Sequence, residues 1–160
     1  MAQTSYPTAP SIAIEGMLAN LSPHTIESRT NSDSSAQISF GKLVKEDTLA
    51  PAVGVQPCTF PTDVPAGIAV HSHAYERGTE LESGVKPTGS INMLRKGPLY
   101  VLAGDTIATG DRLAYNPTTK KFVPTHTPGT TIDTTAQAVA RGPAVADGLF
   151  VADFDFTNKP

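Results

Sequence analysis

The chain has 160 residues, the length of one domain or of one domain with an appendage. Its 13 glycines and 14 prolines, with no tryptophan, suit many short strands and turns better than a helical bundle. The net charge of −3 is mild and the 12 cationic residues are scattered, so the sequence shows no basic stripe of the kind that binds nucleic acid. We therefore expect no nucleic-acid partner.

Signals for targeting and for membranes are weak as well. Residues 1–10 contain no cationic residue and no apolar core, so we expect no signal peptide. The longest apolar run is about five residues, against the roughly 20 that a membrane-spanning helix needs, so we expect no membrane partner. The single cysteine, Cys58, excludes a disulfide framework and a metal site built from several thiolates.

The N-terminal part of the chain lacks apolar surface. Residues 1–13 are predicted to be a flexible arm, because their prolines disfavour helix and too little apolar area is present to offset the entropy of ordering. Residues 14–160 are predicted to form a single mainly β domain, with loop excursions at 45–66 and 124–135. The spacing of Ile14, Met17 and Leu18 predicts a short helical turn or an irregular segment.

Two strands are predicted directly after this segment. Residues 25–29 alternate around Ile26, and residues 37–44 place Ile38 and Phe40 on one face. Because a polar turn separates them, we predict that these two strands form a hairpin.

The next part of the chain, residues 45–65, is predicted to be a loop. Its four prolines forbid a long helix and leave at most short edge strands. Since loops on a rigid sheet commonly carry function, we predict a recognition surface here. Residues 67–73 are then predicted to be a strand.

The stretch 90–123 has the clearest pattern. Short apolar runs alternate there with pairs of turn residues, at Gly97-Pro98, Gly104-Asp105, Gly110-Asp111 and Asn116-Pro117. These residues supply the positive or fixed φ that tight reversals need, and the runs between them are too short for helices. The stretch is therefore predicted to be a β-meander.

The C-terminal part continues this pattern. A Thr-, Pro- and Gly-rich loop is predicted at 124–135 and a short strand at 136–140. Residues 148–156 alternate with a slip of phase, which predicts a bulge or a joint between two sheets; the alternating residues are Leu149, Val151, Phe154 and Phe156. The predicted fold is a small antiparallel β-barrel or sandwich with long Pro- and Thr-rich loops, an extended N-terminal arm and little helix.

A few side chains are of types that metals or catalysis use. His71 and His73 lie on one face of a strand near Glu76, but the spacing fits no metal-barrel pattern and no second histidine motif follows. Asp153 and Asp155 share a strand face, which two exposed carboxylates explain more simply than calcium binding or acid–base chemistry. The cysteine has no histidine at a spacing that identifies a base. We expect no catalytic residue, no metal and no cofactor, and a protein that is not an enzyme.

A series of short motifs runs along most of the chain from about residue 14: Gly16-Met17-Leu18-Ala19, Ile38-Ser39-Phe40-Gly41-Lys42-Leu43-Val44, Gly67-Ile68-Ala69-Val70, Ser90-Ile91-Asn92-Met93-Leu94-Arg95-Lys96-Gly97-Pro98-Leu99-Tyr100-Val101, Thr109-Gly110-Asp111-Arg112-Leu113-Ala114-Tyr115 and Gly148-Leu149-Phe150-Val151. In this order and spacing they resemble the structural cement, or decoration, proteins of tailed bacteriophage capsids. The two loop excursions match that family poorly.

The resemblance implies a mainly β module on the outer capsid surface of a virion, assembled in the cytoplasm of the bacterial host. It implies two partners: the major capsid protein and further copies of the chain itself, commonly as a homotrimer. The implied function is to bind the outside of an icosahedral shell and to stabilise contacts between major capsid protein subunits, without catalysis.

We predict two sets of contacts to neighbouring chains. The first lies in and just after the arm: Tyr6, Pro7, Ile12, Ile14, Met17 and Leu18. The second lies in the proline-rich excursion: Pro51, Val53, Val55 and Phe60. Two alternative functions remain: a virion-borne carbohydrate- or receptor-binding β module, against which the absence of tryptophan argues, and a metal-dependent β-barrel enzyme that uses His71 and His73.

Overall fold

The computed structural model describes residues 13–20, 23–50, 52–71, 76–77, 80–81 and 84–157. These residues form strands and turns, and none of them forms a helix, so no span of membrane-crossing length and hydropathy is found among them. The described strands are β1 (Thr25–Asn31), β2 (Ile38–Ser39), β3 (Leu43–Glu46), β4 (Gly54–Pro57), β5 (Gly67–Val70), β6 (Glu76–Arg77), β7 (Glu80–Leu81), β8 (Gly84–Val85), β9 (Ser90–Leu102), β10 (Ala114–Asn116), β11 (Lys121–Val123), β12 (Ala138–Ala140) and β13 (Leu149–Asp155).

Five of these strands close into a barrel. Their order is β1-β4-β3-β5-β9, and β9 pairs with β1 as well as with β5. Leu94 of β9 marks the closure, because it lies opposite Ile26 of β1 and also opposite Ile68 of β5. The pairs are antiparallel except for β1 with β4. Closure pairs the backbone groups that an open sheet edge leaves exposed, and the predicted β-barrel is confirmed.

The second half of β9 extends beyond the barrel. Residues 96–102 pair with β13, which in turn pairs with the short strand β12. Lys96 lies at the point of exchange, opposite Thr25 of β1 and Asp155 of β13. The next residue, Gly97, has a φ of 132°, which residues with a Cβ rarely adopt. The predicted turn at Gly97-Pro98 is therefore wrong, because the strand continues through these residues while it changes partners.

The exposure of alternating residues identifies the barrel interior. On β1, Ser28 and Thr30 are exposed whereas Asn31 is fully buried, so the face that carries Asn31 points inward. The Asn31 amide donates to the carbonyl oxygens of Ala36 and Val85, at 3.0 Å each. The apolar side chains of the interior form one cluster: Ile38, Phe40, Val44, Val55, Ala66, Ala69, Val85, Ile91 and Met93.

The outer face of the barrel is largely covered by the C-terminal part of the chain. All four residues of β5 are buried, since one face of this strand points into the barrel and the other packs against the covering layer. The covering layer contains four aromatic rings whose successive centroids are 5.1, 5.4 and 6.0 Å apart: Tyr115, Phe122, Phe154 and Phe156. These rings belong to the larger of the two apolar clusters formed by the described residues.

The strand predicted at 25–29 is confirmed as part of β1, but its predicted hairpin partner is wrong. The stretch 37–44 is divided by a turn at Phe40-Gly41, where Gly41 has a φ of 73°. The two pieces pair elsewhere: β2 with β8, and β3 with β4 and β5. Alternation fixes which residues face inward but not which strand lies alongside, so the sequence pattern did not define the pairing.

Two further expectations need correction. β4 lies between β1 and β3, so the proline-rich excursion contributes an internal barrel strand; Pro57 is tolerated because it is the last residue of that strand. β13 pairs with β9 without a shift in register, so the bulge, one of the two predicted explanations of the phase slip, is absent from it. On one face of β13, Phe150, Ala152 and Phe154 are buried in the larger apolar cluster. On the other face, Leu149, Val151 and Asp153 are half-buried.

Candidate interaction surface

The first described residues, 13–20, lie along the second half of β9. The Gly16 N–H donates to the Tyr100 carbonyl oxygen at 2.8 Å, and the Tyr100 N–H donates to the Met17 carbonyl oxygen at 2.9 Å. Leu18 forms an antiparallel bridge with the same strand and packs against the larger apolar cluster. The predicted contact residues Ile14, Met17 and Leu18 are half-buried within this chain. Three more of them lie outside the described residues: Tyr6, Pro7 and Ile12.

An ion pair fastens this segment to the barrel. Lys42, just before β3, donates through Nζ to Oε1 of Glu15 at 2.5 Å and to the carbonyl oxygen of Lys120 at 2.8 Å. Burial raises the pKa of Glu15, against the opposing effect of the Lys42 hydrogen bond and charge. A glycine suits position 41 because its φ is 73° and because a Cβ there would lie 2.3 Å from Cγ of Glu15. The described segment is thus held by its own domain.

Among the described residues, four of the five large apolar side chains that are exposed lie close to β4 in sequence, and the fifth is Val145. Leu49 and Val53 precede this strand and are 93% and 60% exposed, and Phe60 and Val64 follow it and are 63% and 59% exposed. They lie at opposite ends of β4, because the chain enters the strand after the first pair and leaves it before the second. Val55, a predicted contact residue, is fully buried in the barrel and is not available to a partner. Pro51 lies outside the described residues.

The turn that carries Phe60 is tied by one carboxylate. We call residues 59–63 the Phe60 turn. Oδ2 of Asp63 accepts hydrogen bonds from the N–H groups of Thr59 and Phe60, at 2.8 and 2.9 Å. Oδ1 accepts from Nζ of Lys45 on β3 at 2.9 Å. The Asp63 N–H donates to the Phe60 carbonyl oxygen at 3.0 Å, which closes a β-turn with Pro61 at its second position.

The connection before β4 is also ordered by an aspartate. Asp47 is 7% exposed, and its Oδ1 accepts from the Leu49 N–H at 3.0 Å. Its own N–H donates to the Gly54 carbonyl oxygen at 3.0 Å, and the side chain of Arg29 on β1 donates to the Ala52 carbonyl oxygen. Leu49 and Val53 are therefore exposed on a loop that is fixed at its base.

The candidate metal ligands His71, His73 and Glu76 are not seen together in the described part of the chain. The ring of His71 packs edge-on against the ring of Phe40, with centroids 4.8 Å apart and planes at 69°. His73 lies outside the described residues, as does the side chain of Glu76. Within the described ranges no three His, Cys, Asp or Glu side chains are grouped as metal ligands.

The remaining reactive groups take part in ordinary packing and pairing. Asp153 is paired with Arg141, and Asp155 accepts from Nζ of Lys96 at 2.7 Å, so each carboxylate of this strand face is balanced by a cation. Cys58 is 3% exposed, and burial raises the pKa of its thiol. Neither arrangement resembles an activated nucleophile or an acid–base pair.

Sequence reasoning identified the excursion but not the residue that orders it. The sequence carried a signal for the turn, because Pro61 suits the second position of a β-turn, but it carried none for Asp63 at the last position. Val64 was missed because single exposed apolar residues have no distinctive pattern.

A family model described as "Structural cement protein (E217 gp24/Pam3 gp6)" matches residues 2–154. The fold is similar to a chain in the capsid of Myoviridae phage XM1, with a TM-score of 0.63 and 16% identity over 96% of this chain and 97% of that chain. It is also similar to the base of the head fiber gp8.5 of bacteriophage phi29, with a TM-score of 0.52 and 19% identity over 85% of this chain and 99% of that one. No curated protein matches by sequence.

Proposed function

The chain belongs to the structural cement protein family of phages, and from this premise we propose that it binds the outer surface of an icosahedral capsid and stabilises contacts between major capsid protein subunits. The match over residues 2–154 is the observation that carries the proposal. As a member of this family the chain is a structural virion protein. We propose further that it acts without catalysis, and that it reaches the shell after synthesis in the bacterial cytoplasm.

The described surface supports a role in protein contacts. Four large apolar side chains are exposed on the two connections that flank β4: Leu49, Val53, Phe60 and Val64. Burying one such side chain against a partner gains about 1.5–3 kcal/mol. The connections that carry them are fixed at their bases, so little conformational freedom remains to be lost on binding.

The energetic effect on the shell follows from mass action. A protein that binds the assembled shell and not its separated subunits stabilises assembly; at a free concentration of 100 Kd, each site adds about 2.7 kcal/mol. We propose that the chain binds as a homotrimer, because three modest contacts engaged together exceed the affinity of one alone. A trimer spanning several capsid subunits then opposes the separation of any two of them.

The test uses expanded shells that lack this protein. Purified wild-type chain is added, the shells are pelleted, and the bound fraction is measured together with the temperature at which the shells break. We expect saturable binding, and we expect shells with bound protein to break at a higher temperature than shells without it. The free protein should sediment with three times the mass of one chain. A chain that stays in the supernatant at micromolar concentration, with no change in shell stability, would contradict the proposal.

A further inference from the structure

The Phe60 turn combines an exposed aromatic ring with an unusually complete set of local restraints. The ring is 63% exposed, whereas the Asp63 side chain that orders the turn is only 12% exposed. Exposed loop tips are commonly polar, because an apolar ring in water forgoes the gain of burial. A fixed turn that holds a large apolar ring in solvent therefore indicates a site that binds a partner.

The restraints reduce the cost of binding through this ring. Four hydrogen bonds connect the turn to itself and to β3 through Asp63, two of them to the backbone N–H groups of Thr59 and Phe60. Prolines at positions 57, 61 and 65 fix φ on either side and within the turn. Only the rotation of the ring itself remains to be restricted on contact, so most of the gain from burial appears as affinity.

The composition of the turn also indicates the chemistry of the partner surface. Its apolar residues are Phe60 and Pro61, the exposed Val64 follows it directly, and its one carboxylate is already paired with Lys45 at 2.9 Å. Such a surface offers no free charge to a basic or acidic patch, so the complementary surface is an apolar pocket. Aromatic residues that fill such pockets commonly dominate the binding energy of protein interfaces.

We propose that Phe60 is a preformed anchor that inserts into an apolar pocket of the capsid shell protein. This rests on the proposed function and adds to it the residue that carries most of the affinity. A second copy of the chain is the other candidate partner, and two grooves elsewhere on its described surface, of about 450 and 410 Å³, suit the ring poorly because both are lined by Arg141. The first is also lined by Lys96, Asp153 and Asp155. A ring that enters either groove would desolvate these charges.

The test compares shell binding by four forms of the chain. Phe60→Ala removes the ring, and Asp63→Asn weakens the restraints and leaves the ring in place. Val145→Ala is the control for truncating an exposed apolar side chain, since Val145 is 69% exposed and lies outside the two connections that flank β4. For Phe60→Ala we expect a rise in Kd for expanded shells of about tenfold or more, and for Val145→Ala a change within about twofold. The Kd ratio between Phe60→Ala and wild type should be nearly the same at low and high salt, because no free charge is involved.

Asp63 acts as a positioning residue, and its test has a separate readout. Asp63→Asn should raise Kd by about threefold to tenfold and should speed hydrogen exchange at the N–H groups of Thr59 and Phe60, with circular dichroism unchanged. Slow exchange at these two groups in the variant would show that the carboxylate does not hold the turn.

The outcomes separate this inference from the proposed function. If the wild type fails to bind shells, the proposed function fails. If the wild type binds and Phe60→Ala binds equally well, the anchor is refuted while the proposed function stands. If Phe60→Ala lowers the sedimentation coefficient of the free protein, the ring contacts a second copy and the shell pocket is refuted.

Discussion

Replacing Gly97 by alanine tests the exchange point of β9. Gly97 has a φ of 132°, and a residue with a Cβ held in such a conformation costs about 1–3 kcal/mol. The added Cβ would also lie 2.7 Å from Cβ of His24, where real Cβ contacts essentially never occur, and overpacking costs a further 1–3 kcal/mol or so. With partial relaxation we expect Gly97→Ala to lower the free energy of unfolding by about 2–4 kcal/mol.

Urea denaturation followed by far-UV circular dichroism measures this change, since the chain has no tryptophan to report by fluorescence. In a domain of this size the expected loss lowers Tm by about 5–15 °C. Gly110→Ala is the control for backbone strain without crowding, because Gly110 has a φ of 90° and no atom would lie within 4 Å of its Cβ. Gly142→Ala controls for substitution alone, since its Cβ would also meet nothing within 4 Å. If the free energies of unfolding of Gly97→Ala and Gly142→Ala agree within about 0.5 kcal/mol, β9 does not require a glycine at its exchange point.

Three further predictions concern the core and two titrating groups. Phe122 is 1% exposed, so Phe122→Ala should lower the free energy of unfolding by about 3–5 kcal/mol in urea titrations, and an unchanged midpoint would place the ring outside the core. Cys58 should react with a thiol reagent at pH 8 only after denaturation, because burial raises its pKa; complete reaction of the native protein within minutes would refute this. Hydrogen bonds from Lys96 and from Thr157 lower the pKa of Asp155 from 3.8 to about 2, so the stabilisation that they give should be present above pH 4 and lost as pH falls through about 2. The effect is small because the pair is exposed to solvent, and NMR titration of Lys96→Met should show the Asp155 midpoint moving up towards 3.8.

The positions of several strands were predictable because the signals for them are local. Alternation placed the strand at 25–29, and the predictions at 67–73 and 136–140 contain the shorter strands β5 and β12. Pairing was not predictable, because barrel closure brings β1 against β4 and β9, which are distant along the chain. Gly97-Pro98 was misread because the same dipeptide serves a tight reversal or a strand that changes partners.

The candidate surface was predictable in outline only. A proline-rich excursion next to a sheet correctly suggested exposed side chains, and Val53 and Phe60 are exposed. Val55 was misassigned because the surrounding prolines concealed the strand β4. Without that strand, the sequence did not show that Val55 faces the barrel interior. The pairing of Asp63 with Lys45 depends on β3 and β4 lying side by side, which sequence alone did not establish.

The way the segment 13–20 lies along β9 bears on how the chain responds to tension. A pull on the residues ahead of it, directed along the strand, would load the Gly16–Tyr100 and Met17–Tyr100 hydrogen bonds together, rather than one after another as in unzipping. The Glu15–Lys42 pair would take up part of the same load and pass it to β3. Force entering at this end would therefore be shared between the longest strand and the wall of the barrel.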